Sequence, residues 1–236
     1  MPDPAVATMI SAYDIGPPTL GCPPGRRPRV QFREIAFASC YVYSPSDASA
    51  ASRLLRASVK AGDVSELVAQ ALQAEDEAGR HPSIVRFFPA VAILVPVPGS
   101  RPSACGGATA TERLAVALLK QGLGRAIWFG LRRVRAVRKS ATAIPGARAS
   151  VKTHYDSMAV DADAPAASHL MLVDDVVTRG RTLFAAALRL REAFPGADVR
   201  AFALVRTMGY APDFERFLMP CTGSIEWRCE DARRNP

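Results

Sequence analysis

Apolar runs and amphipathic stretches alternate along this chain, and the alternation predicts strands and helices in turn. Apolar runs predict five strands, at 35–43, 90–100, 126–131, 169–175 and 198–208. Stretches with a cap residue or an apolar stripe predict four helices, at 46–62, 63–79, 110–124 and 180–194. The run at 169–175 is continuous, as in strands buried on both faces of a parallel sheet. The pattern therefore predicts an α/β fold with a central, mainly parallel sheet flanked by helices.

The two ends of the chain lack this regular pattern. Residues 1–34 are rich in proline and glycine, and residues 209–236 mix polar and aromatic residues without a firm period. A length of 236 residues suits one α/β domain with a small appendage. We therefore expect an irregular lead-in at 1–34, a single α/β domain at 35–208 and a tail at 209–236.

The composition argues against membrane and exported proteins. Apolar residues make up 49% of the chain, but they form no run of about 18, the length that a membrane-spanning helix needs. The first residues lack the basic start and apolar stretch of a signal peptide. Five scattered cysteines without a C-x-x-C pair indicate reduced thiols rather than a zinc ribbon or a disulfide framework. We expect a cytoplasmic protein without a membrane partner.

The positive charge is concentrated in one segment. The net charge is +8, and residues 125–155 contain eight cations and no acidic residue. The rest of the chain is therefore neutral. A segment of this kind is expected to attract something anionic.

The stretch LMLVDDVVTRGRTL, at 170–183, contains the most informative pattern. An apolar strand runs into Asp174 and Asp175, and Gly180 then begins a predicted helix. Ligands of parallel sheets bind at the carboxyl ends of strands, and the first amides of a helix suit a phosphate. Thr178 and Thr182 add hydroxyl donors. Acids beside a phosphate cradle fit a sugar phosphate, whose hydroxyls donate to carboxylates.

This stretch resembles the signature of the type I phosphoribosyltransferase (PRTase) family, which binds 5-phosphoribosyl 1-diphosphate (PRPP). In that signature four hydrophobic residues, two acids and two hydrophobic residues precede Thr-x-Gly-x-Thr, and every position at 170–182 fits. Arg179 and Arg181 stand where many members have small residues. The resemblance implies the type I PRTase fold, with a small variable hood built from the chain termini. The alternative is an unrelated strand that ends in solvated acids before a helix.

The resemblance also implies roles for the motif residues. Asp174 and Asp175 would hold the ribose hydroxyls as catalytic residues. The 5′-phosphate would bind at the turn formed by Thr178, Arg179, Gly180, Arg181 and Thr182.

An earlier turn resembles the loop with which the family grips pyrophosphate. It follows the apolar run at 90–100 and offers Gly99, Ser100 and Arg101. A plain turn at the end of a strand is the alternative. The sequence PVP at 96–98 also resembles the ComF-like branch of the family, although the cysteine zinc module usual in that branch is missing. Mg²⁺ is the expected cofactor, carried by PRPP without a direct protein ligand.

The basic segment has two interpretations that the sequence leaves open. It falls where the family has a mobile loop that closes over PRPP, and Lys139 and Arg148 are then the catalytic cations, with Ser140 and His154 as further candidates. Alternatively, residues 132–152 form a solvated arm or one that binds nucleic acid.

The implied activity is transfer of the phosphoribosyl group from PRPP to a nitrogen nucleophile, a nucleobase or an amine, with release of pyrophosphate. The acceptor is not determined by the sequence, and neither is the oligomeric state, for which a homodimer is one option. Two other functions remain: a non-catalytic regulator that binds PRPP, and a ComF-like accessory of DNA uptake or processing.

Overall fold

The computed structural model describes residues 9–10, 32–44, 50–61, 63–78, 84–102, 108–138, 149–163, 165–208 and 217–236. Within them the strands are β1 (Met9–Ile10), β2 (Glu34–Tyr43), β3 (Ile93–Pro96), β4 (Ala126–Trp128), β5 (Leu131–Arg133), β6 (Met158–Val160), β7 (His169–Val177), β8 (Asp198–Thr207), β9 (Leu218–Arg228) and β10 (Asp231–Asn235). The helices are α1 (Ala50–Ala61), α2 (Ser65–Ala78), α3 (Ile84–Phe87), α4 (Ala110–Lys120), α5 (Val151–Asp156) and α6 (Arg181–Ala193).

Eight strands form one sheet in the order β1-β4-β3-β7-β8-β2-β9-β10. The strands from β1 to β2 in this order are parallel to their neighbours, whereas β9 and β10 are antiparallel. The prediction of an α/β fold with a mainly parallel sheet flanked by helices is thereby confirmed. The predicted strands and helices of the segment 35–208 occur, with bounds that differ by a few residues.

Alternating side chains of the sheet contribute to two separate cores. In β7, Leu170 and Leu172 pack on the face covered by α5 and α6, whereas Met171 and Val173 pack on the face covered by α1, α2 and α4. All four side chains are at most 1% exposed. Burial on both faces explains why β7 reads as a continuous apolar run rather than an alternating one.

The tail contains two strands that the sequence pattern did not predict. β9 pairs with β2 and with β10, so the tail extends the main sheet along its antiparallel edge. The turn between β9 and β10 uses Cys229 and Glu230, both with positive φ. A hairpin turn of this kind normally signals itself by Asn-Gly or Asp-Gly, and this one carries neither.

The basic segment is partly folded. β5 and β6 form a two-stranded antiparallel sheet, and the short helix α5 immediately precedes β6. Part of the segment interpreted as a loop or arm is therefore a paired strand, and α5 was not predicted. Residues 139–148, between β5 and α5, lie outside the described residues, as does most of 1–34. The division into lead-in, domain and tail stays a prediction.

Two findings on the described residues concern membrane-spanning helices and the state of the cysteines. None of their helices is both long enough and apolar enough to cross a bilayer. Cys40, Cys221 and Cys229 are free thiols.

Candidate functional site

The candidate site lies where the sheet changes its direction of winding. From β3 the chain passes through α4 to β4 on one side, and from β7 it passes through α6 to β8 on the other. α4 and α6 pack on opposite faces of the sheet, so a crevice opens between the carboxyl ends of β3 and β7. Open α/β sheets bind their ligands at such switch points.

The two acidic residues lie in the last part of β7. Asp174 Oδ1 accepts a hydrogen bond from the amide of Asp175 at 3.0 Å, and Asp175 Oδ1 accepts one from the amide of Val176 at 2.8 Å. Asp174 faces the crevice, where it lines an open cleft together with the loop that follows. The structure thus places both predicted carboxylates at the carboxyl edge of the sheet.

Simultaneous ionisation of the two carboxyl groups is unfavourable. Burial raises the pKa of Asp174 well above its usual value, and the neighbouring charge of Asp175 raises that pKa further. The buried guanidinium of Arg133 acts in the opposite direction. A positive charge arriving at this pair would relieve the remaining repulsion.

The amino end of α6 is open to an anion. Gly180 is the cap residue of α6 and no side chain caps the first turn. By contrast, Thr109 and Ser150 accept hydrogen bonds from backbone amides at the starts of α4 and α5. The first amides of α6 therefore remain available at the positive end of the helix dipole. The cleft in front of them has a volume of about 450 Å³, open solvent included, and is lined by Asp174 and residues 176–183.

The structure requires glycine at position 180 for a reason that the sequence did not reveal. Its φ is +85°, and a Cβ atom placed on it would lie 2.7 Å from Ile225 Cγ2 in β9. The loop therefore needs glycine for its own backbone and for its packing against β9, whatever ligand it holds. Thr178, beside it, is exposed.

Arg181 contributes a structural side chain as well as a backbone amide. Its Nε and Nη2 donate to Asp231 Oδ1 and Oδ2 at 2.6 and 2.5 Å, a two-pronged pair that ties the loop to β10. Partial burial works against ionisation of Asp231, but the bonds from Arg181 hold its pKa below the usual range. Arg179, in contrast, has a side chain that is 60% exposed and reaches Asp231 only at 3.8 Å. Sequence reasoning missed Asp231, which lies 50 residues away along the chain.

The predicted pyrophosphate turn lies beside the acidic pair. Pro96 of β3 is in register with Val173 of β7, and the amide of Val97 donates to the carbonyl of Val173 at 2.9 Å. Gly99 and Arg101, farther along the turn, are exposed. The two turns that the sequence separates by about 75 residues are therefore neighbours at one edge of the sheet.

Arg133 holds the turn at 97–101 in place through hydrogen bonds, a role that the sequence analysis missed. It is 4% exposed, and its guanidinium donates to the carbonyls of Gly99 at 2.8 Å and Pro98 at 3.2 Å, and to Ser157 Oγ at 2.6 Å. Burial lowers its pKa to about 10. Arg133 therefore fastens the turn at 97–101 to the segment after α5, and it is not a free surface cation.

His154 lies in a buried helix and not in an exposed loop. It belongs to α5, is 4% exposed, and its Nε2 lies 3.5 Å from the hydroxyl of Thr182. Its Nδ1 is buried without a hydrogen-bond partner. Burial lowers the pKa of His154 to about 4, and the charges of Arg133 and Arg181 act in the same direction. His154 is therefore neutral near pH 7, so it is unsuited to the role of a loop cation.

Other cations of the basic segment also have partners in the protein. Arg132 Nε donates to Asp161 at 2.7 Å, Arg135 donates to the carbonyl of Asp156 at 2.7 Å, and Lys152 forms an ion pair with the carboxylate of Asp156. Lys139, Ser140 and Arg148 lie outside the described residues, so their predicted roles stay predictions. The described part of the segment is therefore less available to a polyanion than its sequence suggests.

Neither a protein-family model nor a curated protein sequence matches this chain.

Proposed function

We propose that this protein binds PRPP and transfers its phosphoribosyl group to a nitrogen nucleophile, as a phosphoribosyltransferase of the type I fold. One observation carries the proposal: Asp174 and an uncapped helix terminus line one cleft at the switch point of the sheet, and Asp175 follows Asp174 in β7. A ligand that satisfies both must present hydroxyl donors to the acids and a compact anion to the helix. A ribose 5-phosphate does both.

The adjacent turn supports the second half of the ligand. Gly99 has open space around its Cα, since a Cβ atom there would meet nothing within 4 Å. Its carbonyl points to Arg133, which fixes the turn in place. The amides of Gly99 and Ser100 and the guanidinium of Arg101 are the groups we assign to the pyrophosphate.

The reaction requires the bond from ribose C1 to the pyrophosphate oxygen to break and a bond from C1 to nitrogen to form. The oxygen leaves with the electron pair, and the acceptor loses a proton as the new bond is completed. Positive charge develops at the sugar while the old bond breaks. Asp174 and Asp175 hold the ribose hydroxyls. Burial and the charge of Asp175 raise the pKa of Asp174, so the two carboxyl groups favour a shared proton, and the negative charge that remains on the pair stabilises the developing cation more than the neutral sugar.

The donor set fits Mg²⁺ that arrives with its substrate. No group of three metal-ligating side chains occurs among the residues that the structure describes. Mg²⁺ keeps several waters and binds readily to substrate phosphates, so the pyrophosphate and ribose oxygens of PRPP would carry it next to the turn at 97–101, beside Asp174. Bound in this way, it would neutralise charge on the departing pyrophosphate.

The test combines PRPP binding with pyrophosphate release. Asp174→Asn with Asp175→Asn removes both carboxyl groups at the sugar. The control, Asp63→Asn with Asp163→Asn, removes two charges from exposed acids elsewhere. We expect the first variant to lose at least about 100-fold in pyrophosphate release across a panel of nucleobases and amines, with an unchanged circular dichroism spectrum. The control should keep the wild-type rate. Equal rates in the two variants would refute the assigned role.

The same assay separates the remaining candidates. Calorimetric binding of PRPP with Mg²⁺ but no pyrophosphate release with any acceptor would favour a regulator that senses PRPP. Binding of an oligonucleotide with a steep dependence on salt, in the absence of PRPP binding, would favour the accessory of DNA processing.

A further inference from the structure

Four arginines that are distant in sequence gather beside the loop before α6. Arg179 belongs to that loop, Arg206 to the end of β8, and Arg233 and Arg234 to β10. Arg179, Arg233 and Arg234 line one pocket together with Thr178. We call the site lined by Thr178, Arg179, Arg233 and Arg234 the arginine pocket; Arg206 is not part of its lining. Arg206 lies close enough to act on the charge of Arg234.

The acids near the arginine pocket are already engaged. Both oxygens of Asp231 are held by the arginine at the start of α6, and Arg179 reaches this carboxylate only at 3.8 Å. Glu226 lies opposite Arg233 in the β9–β10 register, but it accepts a hydrogen bond from Arg228 at 2.5 Å. The pocket therefore has a positive charge that its own neighbourhood does not balance.

The inner wall of the pocket contains a guanidinium with unused donors. Arg234 Nη2 donates to the carbonyl of Thr207 at 2.7 Å, whereas its Nε and Nη1 are buried without a hydrogen-bond partner. Burial lowers the pKa of Arg234 to about 10, and the neighbouring Arg206 acts in the same direction. A buried cation without a carboxylate is costly for the fold, and an anion bound nearby reduces that cost.

We propose that the arginine pocket is a second anion site, which binds the phosphate or carboxylate group of a small molecule. Arg179 and Arg233 are exposed, so their planar guanidinium groups contact the anion, and the hydroxyl of Thr178 adds a donor. Arg234 contributes charge from behind. A small anion fits better than a nucleic acid, because the cations converge on one pocket and do not form an extended track. Thr178 and Arg179 also line the cleft in front of α6, so the two sites share these residues. Arg233 and Arg234 line only the arginine pocket, and Asp174 lines only the cleft, so variants at these positions distinguish the two sites.

The experiment titrates inorganic phosphate and, separately, malonate into the full chain by calorimetry at low salt. Arg233→Gln with Arg234→Gln removes two cations from the pocket. Arg125→Gln with Arg138→Gln is the matched control, because it removes two exposed cations that lie outside the pocket and away from its acids. The anion that binds the wild type more tightly identifies the preferred chemistry.

We expect the pocket variant to bind the preferred anion at least about tenfold more weakly than the control, while any binding at the α6 terminus remains. Arg233→Gln alone changes an exposed side chain, and it should give the same direction of effect if the double variant fails to fold. Equal affinity in Arg233→Gln and wild type would overturn the proposal. So would oligonucleotide binding that requires these arginines when neither small anion binds.

The outcome is separable from that of the proposed transferase. Asp174→Asn with Asp175→Asn should keep the anion affinity of the arginine pocket while it loses pyrophosphate release. A pocket that binds anions in a protein without any PRPP turnover would support this inference and count against the proposed function. Turnover with an inert pocket would do the reverse.

Discussion

Two groups of arginines hold their charge in opposite ways: Arg132 and Arg133 of the basic segment at 125–155, and the arginines of the arginine pocket. The segment is the most basic stretch of the sequence, yet Arg132 and Arg133 in it are engaged by protein acceptors. The pocket is built from arginines spread over more than 50 residues, and Arg233 and Arg234 have no carboxylate of their own among the described contacts. Density of charge along a chain therefore says little about where the molecule has an unbalanced positive potential.

This difference has a physical origin. An arginine among backbone carbonyls forms several strong bonds and becomes part of the framework, as Arg133 does with Pro98 and Gly99. An arginine without such acceptors keeps its capacity for an external anion. Local density of acceptors, which depends on the fold, decides between the two outcomes.

The largest expected effect comes from substitution of Arg133, whose guanidinium is hydrogen-bonded within the protein. Arg133→Gln should destabilise the protein by about 4 kcal/mol, because it leaves several buried acceptors without a donor. Urea unfolding measures the change, and Arg233→Gln is the matched control from the arginine pocket, with an expected change below about 0.5 kcal/mol. Similar losses in both variants would remove the distinction between the two regions.

The next effect concerns the pH dependence of stability through His154, which is buried near Arg133 and Arg181. Its folded pKa of about 4 lies below the usual value of 6.5. The resulting stability is fully present above pH 6.5 and is lost as the pH falls from 6.5 towards 4, because the unfolded chain binds the proton first. The loss is up to about 3 kcal/mol. Unfolding measured between pH 4 and 7 should show this slope in the wild type and a flatter one in His154→Gln. Parallel curves would argue against it.

A smaller effect tests how the loop beside the arginine pocket is supported. Gly180→Ala should cost about 2 kcal/mol from its positive φ and its contact with Ile225. Gly122 also has a positive φ but open space around it, so Gly122→Ala measures the backbone strain alone. Thermal unfolding of both variants should show the larger loss for Gly180. If the losses are equal, the contact with β9 contributes nothing to the loop.

The smallest effect concerns Asp231, which binds Arg181 and lies near Arg179. Asp231→Asn weakens the bonds to Arg181 and should cost about 1 kcal/mol in stability. It also removes a negative charge that lies 3.8 Å from Arg179, so phosphate should bind the pocket more tightly than in the wild type. Calorimetry at low salt measures the second change. Weaker binding would indicate that Asp231 is needed to shape the pocket.

The candidate site was predictable where it is continuous in sequence. Asp174, Asp175 and the turn around Gly180 follow one apolar run, so their place at a strand end could be inferred from the pattern alone. Asp231, Arg133 and the arginine pocket were not predictable, because each depends on residues that the fold brings together from distant segments. The packing reason for Gly180 escaped prediction for the same cause, since Ile225 comes from a hairpin without a turn signal.

The sequence by itself determined the parallel α/β core and the acidic pair before the glycine turn, because burial on both faces of a sheet and the start of a helix leave local patterns. Only the tertiary structure decided which cations are bonded within the protein and which remain accessible to a ligand. Strand order brings Arg133 under one turn and gathers Arg179, Arg233 and Arg234 beside another. The balance of charge depends on distances in space, and no local pattern records those distances.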